Sequence, residues 1–162
     1  METVELKKQD LINAYNNCGC SDIQKALKLF FPSIAFTRRN ICDEISGWDD
    51  IIRLSGANAN DYNLRPGETI DELAYRKGKL IAKTYNQDNV LDAGNTDQWK
   101  HFPWHKIVKD PSKPSGFGLS YNGYGNWISL SDVGVRLCFF NPDHAIDAGK
   151  KFNDVYEDLK IR

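Results

Sequence analysis

Residues 117–140 read FGLSYNGYGNWISLSDVGVRLCFF, and the fold turns on how this stretch is divided. Phe117, Leu119 and Tyr121 alternate with small or polar residues, as along a half-buried strand. Asn122-Gly123 is a hairpin-turn dipeptide, reinforced by Gly125. Trp127 to Leu130 then reads as a second strand, and Ser131-Asp132 opens another turn. Val133, Val135, Leu137 and Phe139 alternate with Arg136, Cys138 and Phe140 as a third. The reading is therefore an antiparallel β-meander of about three strands.

Outward from this stretch, the chain is helical on both sides. Asn141 is placed to cap a helix with Pro142 in its first position and Asp143 beside the positive end of its dipole. Ala145, Ile146, Gly149, Phe152, Val155, Tyr156 and Leu159 supply the apolar stripe of one long terminal helix. Upstream, apolar spacing predicts helices over 4–15, closed by Gly19, and over 22–31, closed by Pro32. Residues 33–46 fit either a strand or an irregular connector, and Ser46 or Gly47 starts a helix reaching Leu54. The clearest helix begins at Glu68 or Thr69 and carries Ile70, Leu73, Ala74, Leu80, Ile81 and Tyr85 at three- and four-residue spacing. Loops rich in Asn and Asp flank it at 55–67 and 86–98. The fold class is α+β, with a helical N-terminal half, read as a single domain over 1–162 with 1–90 and 99–162 as candidate subdomains.

Composition narrows the function. Hydrophobic residues at 41% and charged residues at 27% belong to an ordinary globular domain. No apolar run is long enough for a membrane span. The opening METVELKKQD lacks the apolar segment of a secretory leader, so a cytoplasmic protein with reduced thiols is expected. A net charge of −1 opposes a general nucleic-acid binder, though not a local basic patch.

Three further segments, WKHFPWHKIV (99–108), PSGFGLSYNGYGNW (114–127) and VGVRLCFFNPDHAIDAGKKFNDVYEDL (133–159), resemble the C-terminal part of an uncharacterised family of small proteins. These are encoded by phages and mobile elements of gut Bacteroidetes. The family pattern runs Tyr-Pro-Trp, Pro-Ser-Gly-Phe-Gly-Phe, Val-Gly-Ser-Arg-Leu-Cys-Phe, then Ala-Gly-Lys-x-Phe. Here Phe102 precedes Pro103, Leu119 follows Gly118, and Val135 replaces the usual Ser. A weaker likeness extends over 46–86. The resemblance implies a phage or mobile-element setting, in the host cytoplasm or the virion, and carries over no catalytic residue.

No catalytic set or cofactor is called for. Cys18-x-Cys20 is spaced too closely for a usual zinc pair, and Cys42, Cys138 or the histidines would have to complete it. His101 and His105 have i, i+4 spacing, but Pro103 stands between them and the glutamate of a zincin helix is missing. The Asn-rich loops match neither a phosphate loop nor an EF-hand. Arg76, Lys79 and Lys83 read as a solvated helix face. More telling, seven of the nineteen aromatic residues fall within Trp99–Trp127, more than a small core readily hides. Binding to a protein partner (a second copy, a virion component or a host factor) is the leading reading, with Trp104, Tyr121, Tyr124, Trp127 and Arg136 as candidate contacts. Lys100, Lys106 and Lys109 interleave with Trp99, Phe102 and Trp104, which supports single-stranded nucleic-acid binding as the first alternative. A small metal-dependent hydrolase or nuclease built on His101, His105 or His144 is the second.

Overall fold

The computed structural model describes residues 7–17, 21–34, 40–87, 89–128 and 134–161. They form two compact units, Met1–Asn40 and Ile41–Arg162.

The first unit pairs α1 (Lys8–Asn17) with α2 (Ser21–Phe30). Leu11 and Tyr15 are buried, and Ile12, Leu27, Phe31 and Ile34 pack against them. Gln24 ties the helices by donating from Nε2 to the Tyr15 carbonyl at 3.0 Å. The closing role expected for Gly19 lies outside the described residues.

The second unit begins with α3 (Ile41–Glu44) and α4 (Trp48–Ser55), the latter opening on Gly47 as its N-cap. Gly56 closes α4 with φ of 67°, a left-handed conformation that glycine adopts at no steric cost. A short 3-10 helix (Ala59–Tyr62) leads to α5 (Ile70–Asn86). Thr69 caps α5, its own N–H donating to the Glu72 carboxylate at 2.8 Å. The α5 stripe runs through the unit's main core, where Ile81 and Tyr85 have no exposed surface and Ala74 and Leu80 are buried. Ile45, Ile51, Leu119, Phe139, Ala145, Phe152 and Tyr156 complete that core. The α5 half of the chain and the strands thus share one interior.

Two strands, β1 (Lys100–Lys109) and β2 (Phe117–Trp127), form an antiparallel sheet. This corrects the reading of the decisive stretch. Asn122-Gly123 is not a turn; it lies inside one continuous strand that runs to Trp127. The register passes from Trp104↔Gly123 to His105↔Tyr121, which leaves Asn122 as the extra residue of a β-bulge. Gly123 sits there with φ of 139°, a value L side chains rarely adopt, although the space beside it is open. Turn chemistry and bulge chemistry demand the same residue types, and only the partner strand tells them apart. That partner, β1, is absent from the sequence reading because Pro103 masks it. Among the described residues the sheet has two strands, so Pro103 can occupy an edge position where no N–H is needed.

The expected third strand is likewise replaced, where described. Val135–Leu137 is a 3-10 turn, and among the described residues of this segment Phe139 alone bridges β1, exchanging N–H···O bonds of 3.0 and 2.7 Å with His101. The buried Asn86 side chain occupies the other side of this segment. Its Nδ2 donates to the Cys138 carbonyl at 3.0 Å, and its Oδ1 accepts from the Phe140 N–H at 2.8 Å. Asn141 then caps α6 (Pro142–Lys151), accepting from the Asp143 N–H, with Pro142 leading the helix. The long terminal helix is broken in two: Phe152, at φ −118° and ψ 33°, separates α6 from α7 (Asn153–Ile161). Phe152 is buried, and the bend lets both helices follow the sheet. Among the described residues, no helix is long and apolar enough to cross a membrane.

Candidate functional site: the aromatic hairpin

The β1–β2 hairpin carries most of the candidate residues, and its two faces differ. On β1, His101, Pro103, His105, Ile107 and Lys109 alternate with Lys100, Phe102, Trp104, Lys106 and Val108. The helices α6 and α7 pack on the first face. Pro103 and Tyr121 come so close to Gly149 of α6 that a Cβ there would lie 2.8 Å from Pro103 Cβ and 2.7 Å from Tyr121 Cε2. His105 stacks on Tyr156 of α7 with ring centroids 5.0 Å apart. The bulge has a consequence for the aromatics. Tyr121 and Tyr124, three residues apart, would point to opposite faces of a regular strand. Pairing with His105 and Pro103 respectively puts both on this same face.

At its outer edge β2 is closed by α7. The Leu119 N–H donates to Glu157 Oε2 at 3.2 Å, and the Leu119 carbonyl accepts from Asn153 Nδ2 at 3.0 Å. Glu157, itself buried, also pairs with Lys113 of the hairpin loop at 2.9 Å. These bonds hold the loop end of the hairpin against the helices.

The candidate contacts divide by burial. Trp104 is 51% exposed and Tyr124 42%, so both present ring surface. Trp104 rests beside Phe102, centroids 6.0 Å apart, and the far end of the Phe102 ring sits over Gly125, where a Cβ would meet its Cζ at 2.5 Å. Tyr121 is half-buried between His105 and Lys150. Arg136, Lys106 and Lys109 are exposed. Trp127 and Lys100 are not available at the surface: Trp127 is buried with Phe102 and Cys138, and Lys100 has no exposed area. The Lys100 ammonium donates to the carbonyls of Asn95 (2.5 Å) and Ile128 (3.4 Å) and lies 5.1 Å from the Trp127 ring centre. Burial of a cation with carbonyl partners is a structural use of lysine, and it removes Lys100 from a phosphate-binding row. Phe117, in the same alternation as the buried Leu119, is 44% exposed, and Ile107 is 63% exposed.

The three histidines do not converge. His101 packs edge-on to Tyr124, and burial lowers its pKa. His144 packs against Tyr85. His105 has its Nε2 3.3 Å from the Gly149 carbonyl and its Nδ1 3.1 Å from Lys160 Nζ. Burial, with the Lys160 charge beside it, lowers the His105 pKa to about 4. At neutral pH the ring is therefore uncharged, with Nε2–H donating to Gly149 and Nδ1 accepting from Lys160. The Cys42 and Cys138 thiols are each pushed up to about 11, chiefly by burial, which makes them poor nucleophiles. Among the described residues, no three His, Cys, Asp or Glu side chains gather as metal ligands. Cys18 and Cys20 lie outside the described residues.

Sequence reasoning missed the hairpin's bare edge. His101 and Leu119 direct their backbone groups away from the partner strand, to Phe139 and α7. Pairing alternates along an antiparallel ladder, so His105, Ile107 and Lys109 also point theirs outward from β1. Among the described residues, none of these N–H or C=O groups takes a hydrogen bond. The signal was present in His-Lys-Ile-Val-Lys (105–109), a β-branched pair set between lysines, which is the composition of an edge strand. Comparison with family models, with curated proteins and with solved structures finds no match to this chain.

Proposed function

We propose that this protein is a non-enzymatic phage or mobile-element accessory protein that works by binding another protein through its hairpin. The partner is a virion component or a host factor, met in the host cytoplasm or the particle. The observation that carries the reading is the exposure of Trp104, Ile107, Phe117 and Tyr124 on one hairpin that α6 and α7 hold in place. Aromatic anchors on a rigid support lose little conformational freedom on binding, and such anchors supply most of the energy of protein interfaces. The setting rests on the sequence resemblance.

Affinity purification from host cells tests the proposal, using the wild-type chain beside a Trp104→Ser/Tyr124→Ser double variant. The expected result is a co-purifying protein captured by the wild type and lost with the variant, while both remain folded by circular dichroism. Equal capture by both would refute the assignment of the hairpin. Exposed Lys106 on the face of Trp104, with exposed Lys109 further along β1, favours single-stranded nucleic acid as the second reading. Retention on single-stranded DNA that falls steeply with salt would select it instead.

A further inference from the structure

The outward edge of β1 offers an unfilled ladder. His105, Ile107 and Lys109 each present one N–H and one C=O away from β2, and no described residue meets them. Just before them the edge is occupied: Phe139 pairs with His101, and Lys160 Nζ lies 3.5 Å from the Pro103 carbonyl. The open length is thus His105–Lys109, enough for a short extended segment. Its borders are Trp104 and Val108 on one face and Ile107 on the other.

Charge selects the occupant. Strands β1 and β2 contain Lys100, Lys106 and Lys109 and not one acidic residue, although the chain as a whole carries −1. Lys100 is buried, so Lys106 and Lys109 set the sign of the edge. A second copy pairing antiparallel through the same edge would crowd four lysines along one ladder, a known defence against edge-to-edge self-association. An extended acidic segment meets no such repulsion.

The geometry points to strand addition: an extended segment of a protein partner, alternating acidic with β-branched residues, pairs with His105–Lys109 and extends the hairpin to three strands. Its backbone satisfies the outward groups of His105, Ile107 and Lys109. Because its residues alternate, its acids share the face of Lys106 and its β-branched residues the face of Ile107, with Lys109 at the end of the open edge. This inference rests on the hairpin-binding reading and specifies how the partner is held.

Hydrogen exchange on the isotope-labelled full chain tests it, with the peptide Glu-Val-Glu-Ile-Glu-Val-Glu, its lysine counterpart and a short oligothymidylate as probes. The acidic peptide should slow exchange at the Ile107 and Lys109 amides by about tenfold or more at saturation. The Lys106 and Val108 amides, already bonded within the hairpin, should change little. Lys106→Glu/Lys109→Glu should transfer the preference to the lysine peptide. Ile107→Pro should abolish protection while the hairpin persists, because the lost N–H points outward, as the position of Pro103 already does. No protection at Ile107 and Lys109 by the acidic peptide at millimolar concentration would overturn strand addition. So would equal protection by the lysine peptide, or protection by the oligothymidylate alone. Partner capture that depends on Trp104 and Tyr124 but survives Ile107→Pro would also overturn it, while leaving the hairpin-binding reading intact.

Discussion

Gly149→Ala should destabilise the protein, although replacing glycine by alanine inside a helix ordinarily stabilises by about 1 kcal/mol. Gly149 lies in α6 where the helix meets the sheet. A Cβ built there falls 2.7 and 2.8 Å from Tyr121 Cε2 and Cδ2 and 2.8 Å from Pro103 Cβ. Ordinary carbon contacts start near 3.4 Å, so the helix or the sheet must move by more than half an ångström. Pro103 cannot rotate away, because its ring is fused to the backbone of β1. Tyr121 is hemmed in by His105 and Lys150. Overpacking of this kind costs about 1–3 kcal/mol, and less room to relax favours the upper part of that range. After the propensity gain, a net loss of about 1–2 kcal/mol is expected. The control is Gly78→Ala in α5, where the nearest atom is Leu137 Cδ2 at 3.1 Å, the end of a side chain that can rotate. There the propensity term should dominate, giving a change between zero and about 1 kcal/mol of stabilisation. Urea unfolding of both variants, followed by far-UV circular dichroism and tryptophan fluorescence, reads the difference. If Gly149→Ala proves as stable as Gly78→Ala, then α6 does not seat on the hairpin as described.

Asn86→Leu should cost about 2–4 kcal/mol, because the Cys138 carbonyl and the Phe140 N–H both lose their partner in a buried setting; near-wild-type urea stability would show that these groups have other partners. His105 is held uncharged with a pKa of about 4, below its usual 6.5, so its contribution to stability is complete above pH 6.5 and is lost as pH falls through 4. Wild-type stability should therefore decline across that interval more steeply than His105→Gln stability, as measured by urea midpoints at several pH values; parallel declines would refute the assignment. Cys138 has no exposed surface and a raised pKa, so iodoacetamide at pH 7.5 should modify it only when the protein unfolds. Peptide mass spectrometry checks this, and rapid native modification of Cys138 would contradict its place in the core.

The hairpin shows where legibility stops. The starts of α5 and α6 are decided by residues within a few positions of one another, and they could be read directly, whereas the break at Phe152 could not. Thr69 with Glu72 opens α5, and Asn141 with Pro142 opens α6. The α5 stripe was equally plain, because its period is set by the helix itself. Strands are different. Whether Asn122-Gly123 reverses the chain or bulges within it depends on β1, some twenty residues earlier, and Pro103 disguises β1. The alternation from Val135 to Phe139 is too short to separate a strand from a 3-10 turn. The Asn86 amide, more than fifty residues away, occupies the side where a further strand would pair.

The same division holds for the candidate site. Sequence by itself identified the aromatic and cationic density around Trp99–Trp127, since composition is local. It could not sort that density into buried and exposed, because burial is a property of what packs against a residue. Tertiary structure placed Trp127 and Lys100 inside and left Trp104, Ile107, Phe117 and Tyr124 outside. It also turned Tyr121 and Tyr124 to one face through a single extra residue, Asn122. The bare edge at His105–Lys109 is likewise decided only in three dimensions, because a free backbone group is defined by the neighbour that does not arrive.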